Sequence, residues 1–150
     1  MDQGDLHCDV LIVGAGPAGS SCASFLARKG LNTIICDKAA FPREKICGDC
    51  INPGCWELFG LLGVANEVAA HAERVSGVRI AGRYSRTLDI PIPVARGKNS
   101  PFVAIKRSIL DEILLKRAEA DGVRFLESTA LDSAAAIIHD EVGWKIHLRG

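Results

Sequence analysis

Short apolar runs alternate with helical spacing at both ends of the chain. Val10–Val13 is a run of β-branched residues and leucine that stops at a glycine, which predicts a parallel strand buried on both faces. Ala18, Cys22, Phe25 and Leu26 then recur at helical spacing, and Gly30 is placed to end that helix. Thr33-Ile34-Ile35-Cys36 reads as a second strand with Asp37 at its end. Near the other end, Leu110, Ile113, Leu114 and Arg117 share one helical face, and Gly122 closes the segment. Ser108 with Asp111 three residues later resembles a capping box with Asp in place of Glu. Residues 123–126 follow as another strand of the main sheet. Strand, helix, strand in this order predicts an α/β fold with a parallel sheet.

The pattern changes between these blocks. Asn52 is expected to cap a short helix with Pro53 in its first turn, followed by Trp56, Leu58 and Phe59. Gly60, Gly63 and Asn66 are expected to interrupt it. Val78 and Ile80, then Leu88, Ile90 and Ile92, alternate with other residues, so residues 75–94 read as strands of a small meander. Pro91 and Pro93 push these strands toward an edge. "ARGKNSP" is a loop by composition. Trp144, Ile146 and Leu148 alternate as one further strand, one that should turn and pair again.

Charge narrows the function classes. Eighteen basic residues balance eighteen acidic ones, which argues against nucleic-acid binding driven by electrostatics. The apolar runs are far shorter than a bilayer span. "MDQGDLHC" has neither a basic n-region nor an apolar h-region, so no signal peptide is expected. Six cysteines without an export signal read as reduced thiols in a cytoplasmic protein. His7, His71, His139 and His147 are scattered and read as surface or core residues.

The candidate chemistry begins at Gly14-Ala15-Gly16-Pro17-Ala18-Gly19. This G-x-G-x-x-G stands between a strand and a helix, with an acid 23 residues after its first glycine. That context makes it a dinucleotide fingerprint. Gly14 permits the tight turn, Gly16 lets a pyrophosphate approach the backbone, and Gly19 lets the helix pack close on the strand. The helix N-terminus offers N–H groups and partial positive charge to phosphates. Pro17 suits the first helical turn. Asp37 is placed to accept both hydroxyls of an adenosine ribose. The glycines serve FAD and NAD alike.

The residues after Asp37 add a family. Phe41-Pro42-Arg43, Lys45, Cys47-Gly48, Pro53, Leu58 and Leu62-Gly63 resemble the geranylgeranyl reductase branch of FAD-dependent oxidoreductases. The wider group includes flavin-dependent halogenases and aromatic hydroxylases. "VAIKRSILDEILLKRAEADGV" resembles the family's V-x-R-x-x-x-D-x-x-L-x-x-x-A-x-x-x-G segment, with Val103 one place further from the arginine. The likeness runs from residue 9 to about residue 131.

The resemblance implies a Rossmann-like, three-layer FAD-binding domain with a parallel sheet and part of a small β-rich insertion near residues 75–100. It implies that Asp37, in place of the more usual glutamate, holds the adenosine ribose beside Lys38, and that Arg43 lies near the phosphate or ribose. Cys47 and Gly48 would pass beside the flavin. Arg107 would reach FAD from a strand end, and Ala130 and Leu131, on the strand after Gly122, would bring backbone groups to the adenine. Without the resemblance, Arg43 and Arg107 read as solvated surface arginines. The implied reaction is reduction of carbon–carbon double bonds in a prenyl chain, with NAD(P)H as the expected electron donor. A flavin monooxygenase or halogenase is the alternative, and a non-catalytic nucleotide-binding fragment is another. Family members continue further, so residues 1–150 are expected to be the N-terminal part of the cofactor domain, truncated before the substrate domain. A lipid-like substrate and transient membrane-surface contact would belong to that absent domain.

"KICGDCINPGC" carries three cysteines in nine positions. Cys50 and Cys55 form a C-x4-C that resembles the redox pair of flavoprotein disulfide reductases. Cys47 stands where a glycine of that motif is usual, and Trp56-Glu57 replaces an aliphatic-proline pair. Zinc would lack a second, matching ligand pair. Cys8, Cys22 and Cys36 read as small core residues.

Overall fold

The computed structural model describes residues 5–47, 49–92, 101–132, 137–139, 141 and 143–150. In chain order the elements are β1 (Val10–Val13), α1 (Pro17–Arg28), β2 (Thr33–Cys36), β3 (Cys50–Ile51), α2 (Cys55–Leu62), α3 (Ala65–His71), β4 (Glu73–Arg74), β5 (Gly77–Ala81), a short 3-10 turn (Arg83–Ser85), β6 (Thr87–Pro91), β7 (Val103–Ala104), α4 (Arg107–Ala120), β8 (Arg124–Leu126), β9 (Ala130–Leu131), β10 (Ile137–His139), β11 (Trp144–Ile146) and β12 (Leu148–Arg149). They divide into two units, Met1–Glu44 with Asp111–Gly150, and Lys45–Leu110. No helix among the described residues is long and apolar enough to cross a membrane.

The first unit is built on a parallel sheet of order β1-β2-β8. Leu11 pairs with Ile34 and Ile12 with Ile35, while Ile35 pairs with Phe125 on the other side. Every residue of β2 is buried, as a central strand with neighbours on both edges should be. Ala15, Ala23, Ile35, Leu115, Ala118 and Val123 form one core cluster. Both helices of the unit therefore bury residues against the same strand.

The sequence misjudges which face of α1 is buried. Ala18 and Cys22 are exposed, and the buried residues are Ser20, Ser21, Ala23 and Ser24. The cause is steric. A Cβ on Gly19 would stand 1.9 Å from the Gly14 carbonyl oxygen, so the helix runs too close to the preceding loop for large side chains on that side. Ser20 and Ser24 tolerate burial because their hydroxyls are bonded: Ser20 Oγ donates to the Ala15 carbonyl at 3.1 Å, and Ser24 Oγ donates to the Asp121 carboxylate. Of the three cysteines expected in the core, Cys36 is buried, Cys8 is half-buried and Cys22 is exposed.

Two strand expectations are also corrected. Residues 130–131 do not continue β8. A turn at Glu127 and Ser128 intervenes, and β9 pairs antiparallel with β12, Leu131 against Leu148. The single strand expected through Trp144, Ile146 and Leu148 is two, because β11 pairs with β10 whereas β12 pairs with β9. His147 lies at the break between them.

The second unit has an antiparallel sheet of order β3-β7-β4, with Ile51 and Arg74 both opposite Val103. The expected helix starts late. Asn52 Oδ1 accepts the Gly54 N–H at 2.8 Å, making an Asx turn around Pro53, and α2 begins only at Cys55. Gly60 and Asn66 lie inside helices; the break falls at Gly63 alone, whose φ of +78° few other residues adopt. Trp56 packs edge-on to Phe59 and donates its indole N–H to the Pro101 carbonyl at 2.7 Å. β5 and β6 form a hairpin in which Val78 faces Ile90 and Ile80 faces Leu88. Arg79 and Asp89 pair across it at 2.6 Å. This hairpin falls among the residues where a β-rich insertion is expected; Pro93 and most of "ARGKNSP" lie outside the described residues.

α1 and α4 are tied together at Asp121. Its carboxylate accepts from Ser24 Oγ, from Arg28 Nε at 2.8 Å and from Arg117 Nε at 3.1 Å. Burial alone would push this carboxyl up, but Arg117, Ser24 and Arg28 outweigh it and hold it at about 2, against an ordinary 3.8. Its pKa is therefore lower folded than unfolded. The stabilisation is complete above about pH 4 and is lost as pH falls toward 2. Urea melts of Asp121→Asn at pH 7 are expected to show a loss of about 2 kcal/mol. The same variant should lose less stability than the parent between pH 5 and pH 2.

Candidate functional site

The loop after β1 is made of backbone. Gly14 takes φ +107°, a conformation that a side chain would oppose, and its N–H bonds to the Cys36 carbonyl at 2.7 Å. The chain thus turns at the level where β2 ends. Gly16 is the N-cap of α1 and makes no side-chain cap bond, Pro17 is the first helical residue, and the Ser20 N–H bonds back to the Gly16 carbonyl at 2.9 Å. The first turn of the helix is left without a side-chain acceptor, the arrangement that receives an anion.

Asp37 closes the loop from below. It is 7% exposed. Its Oδ2 accepts the Ala15 N–H at 2.9 Å and its Oδ1 accepts the Ala39 N–H at 3.0 Å. The backbone of Asp37 also bonds on both sides, its N–H to the Leu126 carbonyl at 3.2 Å and its carbonyl to the Thr129 N–H at 2.7 Å. The residue before Ala130 is thereby fixed to Asp37, so the lead into β9 belongs to the same neighbourhood. Lys38 is exposed on the bend that follows.

Arg43 is no solvated surface arginine. Its side chain is 17% exposed, and Nη2 stands 3.7 Å from Asp37 Oδ2 and 3.5 Å from Asp111 Oδ2. The guanidinium lies 5.2 Å from the centre of the Phe41 ring. Nη2 is also the atom nearest to Gly16, 3.3 Å from where a Cβ would be. Arg43 Nε is buried without a hydrogen-bond partner. This cation is held beside the glycine loop by charge, with donors to spare.

Sequence reasoning missed the role of Asp111. Lys106 accepts the Ile109 and Leu110 N–H groups at 3.1 and 3.0 Å, so the first turn closes on Lys106 and Ser108 lies inside α4 rather than capping it. Asp111 is fully buried and faces Arg43. A signal was present: Asp111, Leu114, Leu115 and Ala118 stand at i, i+3, i+4 and i+7, and all are buried. An acid in a buried stripe requires a cation.

The structure thus brings Gly14, Gly16, Gly19, Asp37, Arg43 and the start of β9 together in one unit. Cys47 and Arg107 fall in the other. Cys47 is exposed, and Arg107, expected at a strand end, is half-buried as the first residue of α4, three positions beyond the end of β7. Gly48 lies outside the described residues. Cys50 is in β3 and Cys55 opens α2, both as free thiols. Among the described residues no three His, Cys, Asp or Glu side chains are grouped to hold a metal.

The glycine geometry separates two variants. Gly19→Ala would drive a Cβ into the Gly14 carbonyl, so thermal and urea melts should show a loss of at least about 3 kcal/mol. Gly16→Ala meets only the flexible end of Arg43 and should cost less than about 1 kcal/mol in the same measurement.

Residues 7–149 match the family model described as FAD binding domain. Menaquinone reductase of Mycobacterium tuberculosis is 37% identical over 138 residues, which cover 91% of this chain and 32% of that protein. Flavin-dependent halogenase armH4 of Armillaria mellea is 34% identical over 129 residues, 81% of this chain and 24% of that one. The solved structure of the flavin-dependent brominase Bmp2 superposes with a TM-score of 0.74 at 27% identity, covering 97% of this chain and 34% of that one. The chain spans about a third or less of the length of these relatives.

Proposed function

The chain belongs to the FAD binding domain family, and from that premise we propose that it holds the adenosine diphosphate half of FAD in a flavin-dependent oxidoreductase. One observation carries the reading: a backbone-lined helix N-terminus and an arginine with unspent donors stand side by side at Gly16. Donors of that kind suit a diphosphate.

The acceptor count fits the ribose. A carboxylate has about four lone-pair sites. In Asp37 one site on each oxygen is taken, by Ala15 and by Ala39. One site on each oxygen is left, which matches the two hydroxyls of a ribose. Arg43 would meet the phosphates, and Ala130 and Leu131 would face the adenine. Cys47, Gly48, Arg107 and Lys38 are assigned to the cofactor by the resemblance alone. The flavin, once bound, supplies the electron transfer; the side chains above bind and orient it.

Two reactions are proposed for the complete protein. Halogenation or related monooxygenation has the broader support, since halogenases recur among the similar sequences and structures. Reduction is the second reading, favoured by the identity to menaquinone reductase. Prenyl-chain reduction, with a nicotinamide nucleotide as donor and a lipid-like substrate, is its narrowest form and rests on the sequence resemblance.

The cofactor is tested first. The purified complete protein is expected to carry a flavin absorbance spectrum, and Asp37→Ala in it should weaken FAD binding by about 1–3 kcal/mol. A Kd for FAD unchanged by Asp37→Ala would remove the ribose assignment. The reaction is tested by assay of the complete protein with oxygen and halide, and anaerobically with a prenylated substrate. Turnover only with oxygen supports the first reading, and turnover without it the second. In either assay Cys50→Ser and Cys55→Ser are expected to retain activity within about tenfold, roughly 1.4 kcal/mol in barrier. Loss of turnover in both, with disulfide reduction by the parent, would instead identify a redox dithiol.

A further inference from the structure

The same arginine nitrogen is shared by two acids. Arg43 Nη2 lies 3.7 Å from Asp37 and 3.5 Å from Asp111, and both distances exceed a charge-assisted hydrogen bond of about 2.7–2.9 Å. With a single carboxylate in reach, a guanidinium closes on it with two parallel bonds. Here it closes on neither. Both acids attract Nη2, and the Phe41 ring lies against the guanidinium.

That suspension matters for Asp37. Its two remaining lone-pair sites are the ones a ribose needs. A closed pair with Arg43 would occupy them and draw the cation away from Gly16. We propose that Asp111 is a positioning residue: by holding one side of Arg43, it keeps Asp37 open to the adenosine ribose and leaves the Arg43 donors beside the phosphate loop. The inference rests on the FAD reading above. It gives a role to a fully buried acid that faces Arg43. Burying a carboxylate is costly unless a cation faces it, and this one faces a cation whose other partner is the ribose acceptor.

The competing role for Asp111 is plain charge neutralisation, and it predicts the opposite sign. If Asp111 only cancels Arg43, then Asp111→Asn frees positive charge beside the phosphates and FAD binds more tightly. If Asp111 positions Arg43, then Asp111→Asn lets Arg43 close on Asp37. FAD binding then weakens, and the weakening is specific to the ribose.

The experiment uses the full-length protein and flavin fluorescence to measure Kd for FAD and for its 2′-deoxyadenosine analogue. The parent is expected to prefer FAD by roughly tenfold, the scale of one lost hydrogen bond. Asp111→Asn is expected to bind FAD roughly tenfold more weakly and to lose the preference, with the two ligands within about twofold. Asp111→Asn combined with Arg43→Gln has no cation to close on Asp37, so the preference for FAD should return. That double variant also carries the test if Asp111→Asn alone does not fold. Equal weakening of both ligands with the preference kept, tighter FAD binding, or a double variant without the preference would each overturn the inference. A parent that binds FAD without preferring it would overturn the inference while leaving the FAD reading in place. A parent that binds no FAD would overturn both.

Discussion

The contact between the start of α1 and the loop before it governs the first unit. At Gly19 the helix backbone comes so near the Gly14 carbonyl that not even a methyl group fits. From that approach follows the choice of side chains along the helix: Ser20, Ala23 and Ser24 are what a narrow gap admits. Small residues bury little apolar area, and burial stabilises by on the order of 25 cal/mol per Å², so this face contributes little by hydrophobicity alone. Polar bonds supply part of what large side chains would have supplied. Ser20 bonds the loop at Ala15, and Ser24 bonds Asp121 at the end of α4.

Buried acids then become the joints of the unit. Asp37 ties the loop to β2 through the Ala15 N–H, Asp121 ties α1 to α4 through two arginines and a serine, and Asp111 faces Arg43. Each sits where packing is tight and a charge would be costly without partners. Asp121 spends its capacity on close, direct bonds and is structural. Asp37 and Asp111 meet Arg43 at longer range, 3.7 and 3.5 Å. The difference between short bonds and long pairs separates the joint that only holds from the pair that can exchange partners for a ligand.

This distinction also explains what could be read from the sequence. The strand, the glycine loop, the helix and the acid at the end of β2 were legible because each is local: sterics and periodicity act within a few residues. The buried face of α1 was not, because apolar spacing pointed to Ala18 and Cys22 while the gap at Gly19 selected the serines. Asp111 was misread for a similar reason. Spacing to Ser108 is a local cue, whereas its partner Arg43 lies far away in sequence. The division of residues 144–149 into β11 and β12 depends on pairing with β10 and β9, and no pattern within the segment announces it.

The site also divides its work between backbone and side chain in a way that explains why the glycines serve FAD and NAD alike. A helix N-terminus and a turn made of N–H groups recognise phosphate charge and shape, which both dinucleotides share. Nothing in Gly14, Gly16 or Gly19 reads the rest of the ligand. Discrimination has to come from side chains that reach past the phosphates, and on the proposed FAD reading those are Asp37 and Arg43. Their reach is fixed by residues outside the loop: Ala39 and Thr129 hold Asp37, while Phe41 and Asp111 hold Arg43. On that reading the glycine loop would fix where a dinucleotide enters, and its surroundings would decide how the sugar beside the phosphates is received. Variation at Phe41 or Asp111 would then alter ligand preference while every glycine of the fingerprint stays in place.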